Sequence, residues 1–357
     1  MNDSGDLAAW IELSLVPGLG SSRYRSLLSA FGLPANVLAA TRAQLSRVVP
    51  ESLAAAILER GSAAEVEKAL RWAGGRGRSV LTLADAAYPK QLLEIPDPPP
   101  LIYVAGDVAR LSAPALAVVG SRNATPQGLQ NARAFARALS EAGLAIVSGL
   151  ALGVDSEAHR GGLEGRGATI AVLGTGIDIV YPQRNRSLAD EVSSRGALVS
   201  EFPLGTGPHA GNFPRRNRLI SGLARGCLVV EAALDSGSLI TARLAADQGR
   251  EVFAIPGSIH SPVSKGCHAL LKQGAKLVES AQDVLEELGV SIRRAAPAPA
   301  GDADSGLLES MGFDPCDIDE LCGRSGLPAE AVSAMLLKLE LDGKIAGLPG
   351  GLYQRIR

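Results

Sequence analysis

The sequence predicts an α/β protein built on a Rossmann-like, doubly wound parallel sheet, with a helical domain before it and a winged-helix-like domain after it. Three observations carry this. Six short apolar runs, separated by helical segments, recur between about Leu116 and Gly289; a helical pattern fills the chain before them; and a Pro/Ala-rich stretch separates them from a short tail. At 357 residues the chain is longer than the roughly 250 to 300 at which a single core stops growing. One large domain with smaller ones attached is expected.

From Leu7 to about Trp72, apolar residues recur at the three-and-four spacing of amphipathic helices, with Pro17-Gly18-Leu19-Gly20 as a turn between two runs. A SAM-like or helix-hairpin-helix-like domain over 1–85 follows. Glycine amides in such a hairpin can face a phosphate, but few basic residues flank it beyond Arg23 and Arg25, so a plain turn between packed helices is the simpler reading. Tyr88 through Pro96-Asp97-Pro98-Pro99-Pro100 reads as a rigid connector, since each proline fixes its own φ and restrains the residue before it. The Rossmann-like domain is expected over 86–290. Its runs are LAVVG at 116, AIVSG at 145, TIAVLG at 169, ALVSE at 197, CLVVEA at 227 and EVFAIPG at 251. Runs without polar alternation are strands buried on both faces, and helices between them make parallel crossovers. Arg294 to Gly301 marks an exposed linker, 291–304, of semi-rigid proline character. Over 305–357, helical patterns near Ser305, Asp317 and Ala329 precede a small hairpin around Lys344 to Gly347 and Gly350 to Tyr353, which suggests a winged helix.

Composition narrows the function classes. Met1 to Asp6 carry acidic charge and the apolar stretch after them is broken by Glu12 and Pro17-Gly18, unlike a signal peptide. No segment has the roughly 18 uninterrupted apolar residues of a membrane span, and the four cysteines show no paired CxxC spacing. A reduced cytoplasmic setting without a membrane partner is expected. The formal net charge of −2 argues by itself against a nucleic-acid binder. Distribution matters more: Lys and Arg recur in loops of the sheet domain, while acidic residues gather after about Gly301.

In an open parallel sheet, ligands bind at the carboxyl ends of the strands. Here each run ends in a small-residue loop: Gly120-Ser121-Arg122, Ser148-Gly149, Gly174-Thr175-Gly176, Ser200-Glu201, Ser236-Gly237-Ser238 and Pro256-Gly257-Ser258. Glycine allows close backbone approach, and amides and serine hydroxyls at following helix starts bind anions without net charge. Basic residues stand in or just beyond these loops: Arg122, Arg184 and Arg186 after Tyr181-Pro182, the cluster Phe213-Pro214-Arg215-Arg216-Asn217-Arg218, and Lys265. They are spread over more loops than one mononucleotide uses. With Phe213 as an aromatic beside them, the pattern is that of single-stranded nucleic-acid binding.

Other chemistries are weaker. Gly174-Thr175-Gly176 continues without the third glycine of a dinucleotide fingerprint, and there is no P-loop or GxSxG elbow. Asp155 and His159 share a helix face, where an acid near a helix start is more often a cap or dipole partner than a catalyst. Cys267 and His268 are adjacent, which prevents shared-face metal ligation. No cofactor, metal or catalytic residue is assigned. For Phe213, placed just outside a helix whose first turn holds Pro214, a hydrophobic staple and a base-stacking platform both remain open.

Taken in order, Val119-Gly120-Ser121-Arg122, Val147 through Asp155 with Ala158-His159, Ile170 through Gly176, Ser200-Glu201-Phe202-Pro203, Phe213 through Arg218, Val229-Val230-Glu231-Ala232, Ser236 through Ala242 and Ile255-Pro256-Gly257 resemble the DNA-processing protein A (DprA, or Smf) family. The resemblance implies a non-enzymatic protein that binds incoming single-stranded DNA during natural transformation, dimerises, and helps load the RecA recombinase. It implies DNA contacts at Arg122, Arg184, Arg186 and Phe213. The segment His209-Ala210-Gly211-Asn212 lacks a lysine found in some members, which leaves Arg215 or Arg216 to complete the phosphate clamp. The competing reading is a nucleotide phosphoribohydrolase of the lysine-decarboxylase-like type, but Thr241 stands where that family has its catalytic glutamate. A duplex-reading tail is disfavoured because the helix from Pro328 carries Glu330, Glu340 and Asp342 against Lys338, and base edges are read by Arg, Lys, Asn or Gln. A protein-binding tail fits better.

Overall fold

The computed structural model describes residues 4–60, 62–290, 303–312, 316–348 and 350–356. The chain divides into two compact units, 1–292 and 293–357. Most of the segment read as a linker lies outside the described residues.

In the first unit the six expected strands all form, as β3 (Ala115–Val119), β4 (Ala145–Ser148), β5 (Thr169–Val172), β6 (Ala197–Ser200), β7 (Gly226–Val229) and β8 (Glu251–Ala254). They run parallel in the order β6-β5-β4-β3-β7-β8. Alternate residues enter opposite cores, which is why the runs lack polar alternation: Ile170 and Val172 of β5 face one cluster and Ala171 the other. Helices Pro126–Glu141, Val154–Glu164 and Arg186–Arg195 cover one face, and Asn212–Gly222, Ser238–Asp247 and Lys265–Lys272 the other.

The sheet is wider than the runs foretell, and not wholly parallel. β1 (Arg78–Thr82) and β2 (Leu101–Gly106) pair antiparallel with each other, and β2 pairs antiparallel with β6. The proline connector is therefore the link between two paired strands, held by the Tyr88 hydroxyl donating to the Pro99 carbonyl at 2.7 Å. At the other edge, β9 (Lys276–Leu277) adds two residues beside β8. β1 follows the helical pattern, which ends at about Trp72, and falls inside the domain expected over 1–85. Among the described residues six helices precede it, from Ser4–Ser14 to Ala63–Ala73, and their Trp10, Ile11, Leu27 and Ile57 share one core with Tyr103, Leu150 and Leu173 of the sheet and its loops.

The hairpin turn supports a structural role. Gly18 has φ +78°. Arg25, from the next helix, donates to Asp97 at 2.7 Å and to the Pro98 carbonyl at 2.8 Å, tying helix to connector.

In the second unit, helices Ala303–Met311, Ile318–Ser325 and Ala329–Leu341 and the antiparallel pair β10 (Ile345–Leu348) and β11 (Leu352–Arg355) enclose Leu307, Met311, Leu321, Val332, Leu336 and Ile345. These are the three helices and hairpin of a winged helix. Among the described residues no helix is long and apolar enough to cross a membrane.

Candidate functional site

β3 and β7 lie side by side, yet the chain leaves them in opposite directions, toward β4 and toward β8. Loops diverge at such a switch point and leave a crevice at the carboxyl edge. A cavity of about 570 Å³ occupies it, lined by Val119 to Asn123, Ala151, Asp155, Ala210, Phe213, Pro214, Arg216, Asn217, Ile220, Ala233, Asp235 to Ser238, Ile240 and Thr241.

Its walls are fixed by short-range bonding. The Ser121 amide donates to the Glu231 carbonyl at 2.7 Å, and the Ser121 carbonyl accepts from the Val154 amide at 3.1 Å. Ser121 therefore has its hydroxyl, not its backbone, for a ligand. The Glu231 carboxylate accepts from the Thr125 amide at 2.9 Å and hydroxyl at 2.6 Å, and that hydroxyl caps the helix Pro126–Glu141 by accepting from Gly128. A carboxylate there also complements the helix dipole. Opposite, the Ser236 and Ser238 hydroxyls bond each other at 2.7 Å around exposed Gly237, at the start of the helix Ser238–Asp247.

Phe213 lies within the first turn of the helix Asn212–Gly222, one step inside its start rather than outside it. The first four helical amides have no intrahelical partner, so Pro214 is tolerated there. The ring is half-buried and belongs to no core cluster. The Arg122 guanidinium stands 5.8 Å from its centre, within cation–π range. A Cβ on Gly174 would come within 2.8 Å of the Phe213 ring, so the glycine makes room for the ring. Tyr181 completes the surface, 46% exposed, with its ring centre 5.7 Å from that of Phe213.

Two of the three arginines of this helix, Arg216 and Arg218, turn inward. Arg216 is 4% exposed, donates to the Val172 carbonyl at 2.5 Å, and fills the space a side chain at Gly149 would take. Burial lowers its pKa to about 10, opposed by the charge of Asp155 and reinforced by Arg122, and at neutral pH it keeps its proton. Arg218 is buried against Glu201 and stands 3.4 Å from Asp97. Arg215 is half exposed, pairs with Glu201 at 3.1 Å and lies 5.4 Å from the Phe202 ring centre.

The cavity thus gathers Gly120, Ser121, Arg122, Phe213, Arg216, Asn217, Ser236, Gly237 and Ser238, and leaves the other sequence-derived positions outside its lining. Ser148 is fully buried and donates to the Val118 carbonyl at 2.7 Å; Gly149 lies under Arg216. Arg215 and Arg218 serve Glu201. Arg184, Arg186 and Lys265 are exposed beyond the lining, with Arg186 3.5 Å from Asp190. Ser148 has no face toward solvent, and Arg218 has little, its guanidinium lying against Glu201 and Asp97. Sequence reasoning passed over Tyr181, whose signal was an aromatic beside Pro182 just ahead of Arg184.

Asp155 and His159 act in the fold. The Asp155 carboxylate accepts from the Gly149 amide at 3.1 Å and the Ala151 amide at 3.3 Å. Burial raises its pKa, with Arg216 and these bonds opposing. His159 bonds Thr169 through Nδ1 at 2.7 Å and accepts the Leu150 amide at Nε2 at 3.3 Å. Burial, then Arg216 and Arg160, push its pKa down to about 3, so the ring is neutral.

Comparison with known proteins identifies the chain's relatives. Residues 79–289 match the family model of DNA recombination-mediator protein A, and residues 291–351 that of the DprA winged helix domain. Protein Smf of Escherichia coli is 44% identical over 82% of this chain and 81% of its own length. DNA processing protein DprA of Streptococcus pneumoniae is 48% identical over 58% of this chain and 73% of its own. The X-ray structure of DprA from Streptococcus pneumoniae superposes with a TM-score of 0.69 at 35% identity, covering 80% of this chain and 98% of that one. DNA processing protein A of Helicobacter pylori, solved for its unique single-stranded DNA binding mode, superposes with a TM-score of 0.54 at 33% identity, covering 59% of this chain and 95% of that one. The chain belongs to the DNA recombination-mediator protein A (DprA, or Smf) family.

Proposed function

We propose that the protein binds single-stranded DNA at the carboxyl edge of its sheet, with Arg122 and the Ser236-Gly237-Ser238 loop meeting phosphates and the Phe213 ring meeting bases. The observation that carries this reading is the juxtaposition of a half-buried aromatic, an exposed arginine and a serine-glycine helix start around one open crevice. Bases on aromatics and phosphates on cations is how single strands are held without sequence readout. The single-stranded DNA binding described for the Helicobacter pylori relative supports it. The basic residues outside the lining, Arg184, Arg186, Arg215 and Lys265, extend the path at its rim.

The family resemblance supports the further steps: a cytoplasmic homodimer that protects incoming DNA in natural transformation and helps load the RecA recombinase, without catalysis of its own. A hydrolytic reading is opposed by the floor of the cavity, where Thr241 offers a hydroxyl and Asp155 is held by two amides and faces Arg216.

The test is a gel shift of single-stranded against duplex oligonucleotides over a salt series, beside an assay for base release from nucleoside monophosphates. Single strands bind more tightly and affinity falls with salt through counterion release. Equal affinity for both forms, or released base, overturns the reading.

A further inference from the structure

Phe213 is half-buried. The Gly174 loop lies against it, the Arg122 guanidinium stands over it, and Tyr181 sits at its side. Tyr181 is the open member of this group, at 46% exposed, and its hydroxyl makes no hydrogen bond among the described residues. A single exposed aromatic needs no explanation. The backbone that carries this one does.

That backbone is pinned on both sides. Before it, the Thr175 hydroxyl donates to the Ile179 carbonyl at 2.5 Å, the Gly176 amide donates to the Thr206 carbonyl at 2.9 Å, and Ile177 and Val180 are buried. After it, Asn185 is buried and donates to the Leu150 carbonyl at 2.8 Å and the Ala151 carbonyl at 3.2 Å. A rigid loop thus presents an aromatic to water although its neighbours reach the core. Arg184, exposed, follows three residues later.

We propose that Tyr181 is a second base-stacking platform, which takes the base next to the one held at Phe213 as the strand leaves the cavity toward Arg184. This rests on the single-strand reading of the same site. The two rings are inclined at 40° with centres 5.7 Å apart. One flat base does not lie on both faces at that angle, so the pair serves two successive bases. A rigid ring spends little entropy on binding and accepts any base, as a non-specific strand requires.

The experiment compares Tyr181→Leu, Tyr181→Phe, Phe213→Ala and Arg122→Ala with the parent chain, on oligothymidine and on single strands carrying one 2-aminopurine at successive positions. Tyr181→Leu keeps bulk and apolar character but loses the π face. It is expected to weaken binding about fivefold or more with an unchanged salt slope, and to restore 2-aminopurine emission at a position adjacent to the one affected by Phe213→Ala. Tyr181→Phe stays within about twofold of the parent, and a melting temperature close to the parent's shows that both variants are folded. If Tyr181→Leu binds and quenches like the parent while Arg122→Ala is weakened, the second platform is wrong and the single-strand site stands. If the parent itself retains no single strand, both readings fall together.

Discussion

The outer wall of the cavity and the underside of the helix Asn212–Gly222 use arginine for opposite ends. Arg122 is exposed, touches an aromatic face and has no carboxylate partner among the described residues. Arg218, past the middle of that helix, is 10% exposed at its side chain and pairs with Glu201, whose side chain is 1% exposed. A charge in water is free to trade its hydration for a phosphate. A charge already desolvated against a carboxylate has been committed by folding, and moving it exposes the partner as an uncompensated ion. Counting arginines along FPRRNR therefore overstates the donors available to DNA.

This contrast can be broken at its buried end first. Glu201→Ala is expected to cost stability, up to about 3 to 5 kcal/mol, because Arg218 stays buried with the partly exposed Asp97 as its remaining carboxylate among the described residues; denaturant unfolding measures it. A loss below about 1 kcal/mol, with tighter DNA binding, would show that Arg215 and Arg218 turn outward when released.

The exposed end comes next. Arg122→Ala is expected to weaken single-strand binding by about tenfold or more, the worth of a charge-assisted hydrogen bond, and to lower the salt slope by about 0.7. Its melting temperature stays near the parent's, since the loop is held by Ser121 and Val154 rather than by the guanidinium. Early melting with normal binding would move Arg122 into the structural group.

The smallest effect sharpens the boundary between the two. Arg186→Ala removes an exposed ion pair to Asp190, worth about 0 to 1 kcal/mol. Stability changes little, and binding falls less than for Arg122→Ala because Arg186 lies outside the cavity lining. A loss equal to that of Arg122 would extend the phosphate path along the helix Arg186–Arg195.

Why the fold was legible in some places and not in others follows from the residues. β3 to β7 show as runs without polar alternation because each strand is buried on both faces, and β8 shares the pattern at its buried end, Phe253 and Ala254. β1 and β2 hide because the chain between them holds a proline-rich connector, and their antiparallel pairing leaves no crossover helix to announce a sheet. β9 is two residues long and carries no pattern. The carboxyl-edge loops were legible from topology, which puts them on one side whatever their residues. The fate of each arginine was not, because it depends on partners far off in sequence: Arg216 answers to Asp155 and Val172, and Arg218 to Glu201 and Asp97. Tyr181 escaped notice because exposure is decided by which neighbours are pulled into the core.

Gly174 and Phe213 also bear on how the sequence can drift. The space missing at one is the ring present at the other, across 39 positions of chain. Related chains are expected to change these two sites jointly or not at all: alanine at 174 pushes a phenyl ring off its seat, whereas the same alanine beside a leucine at 213 finds room. The pair behaves as one inherited character, and a double substitution should be milder than the worse of its single parents.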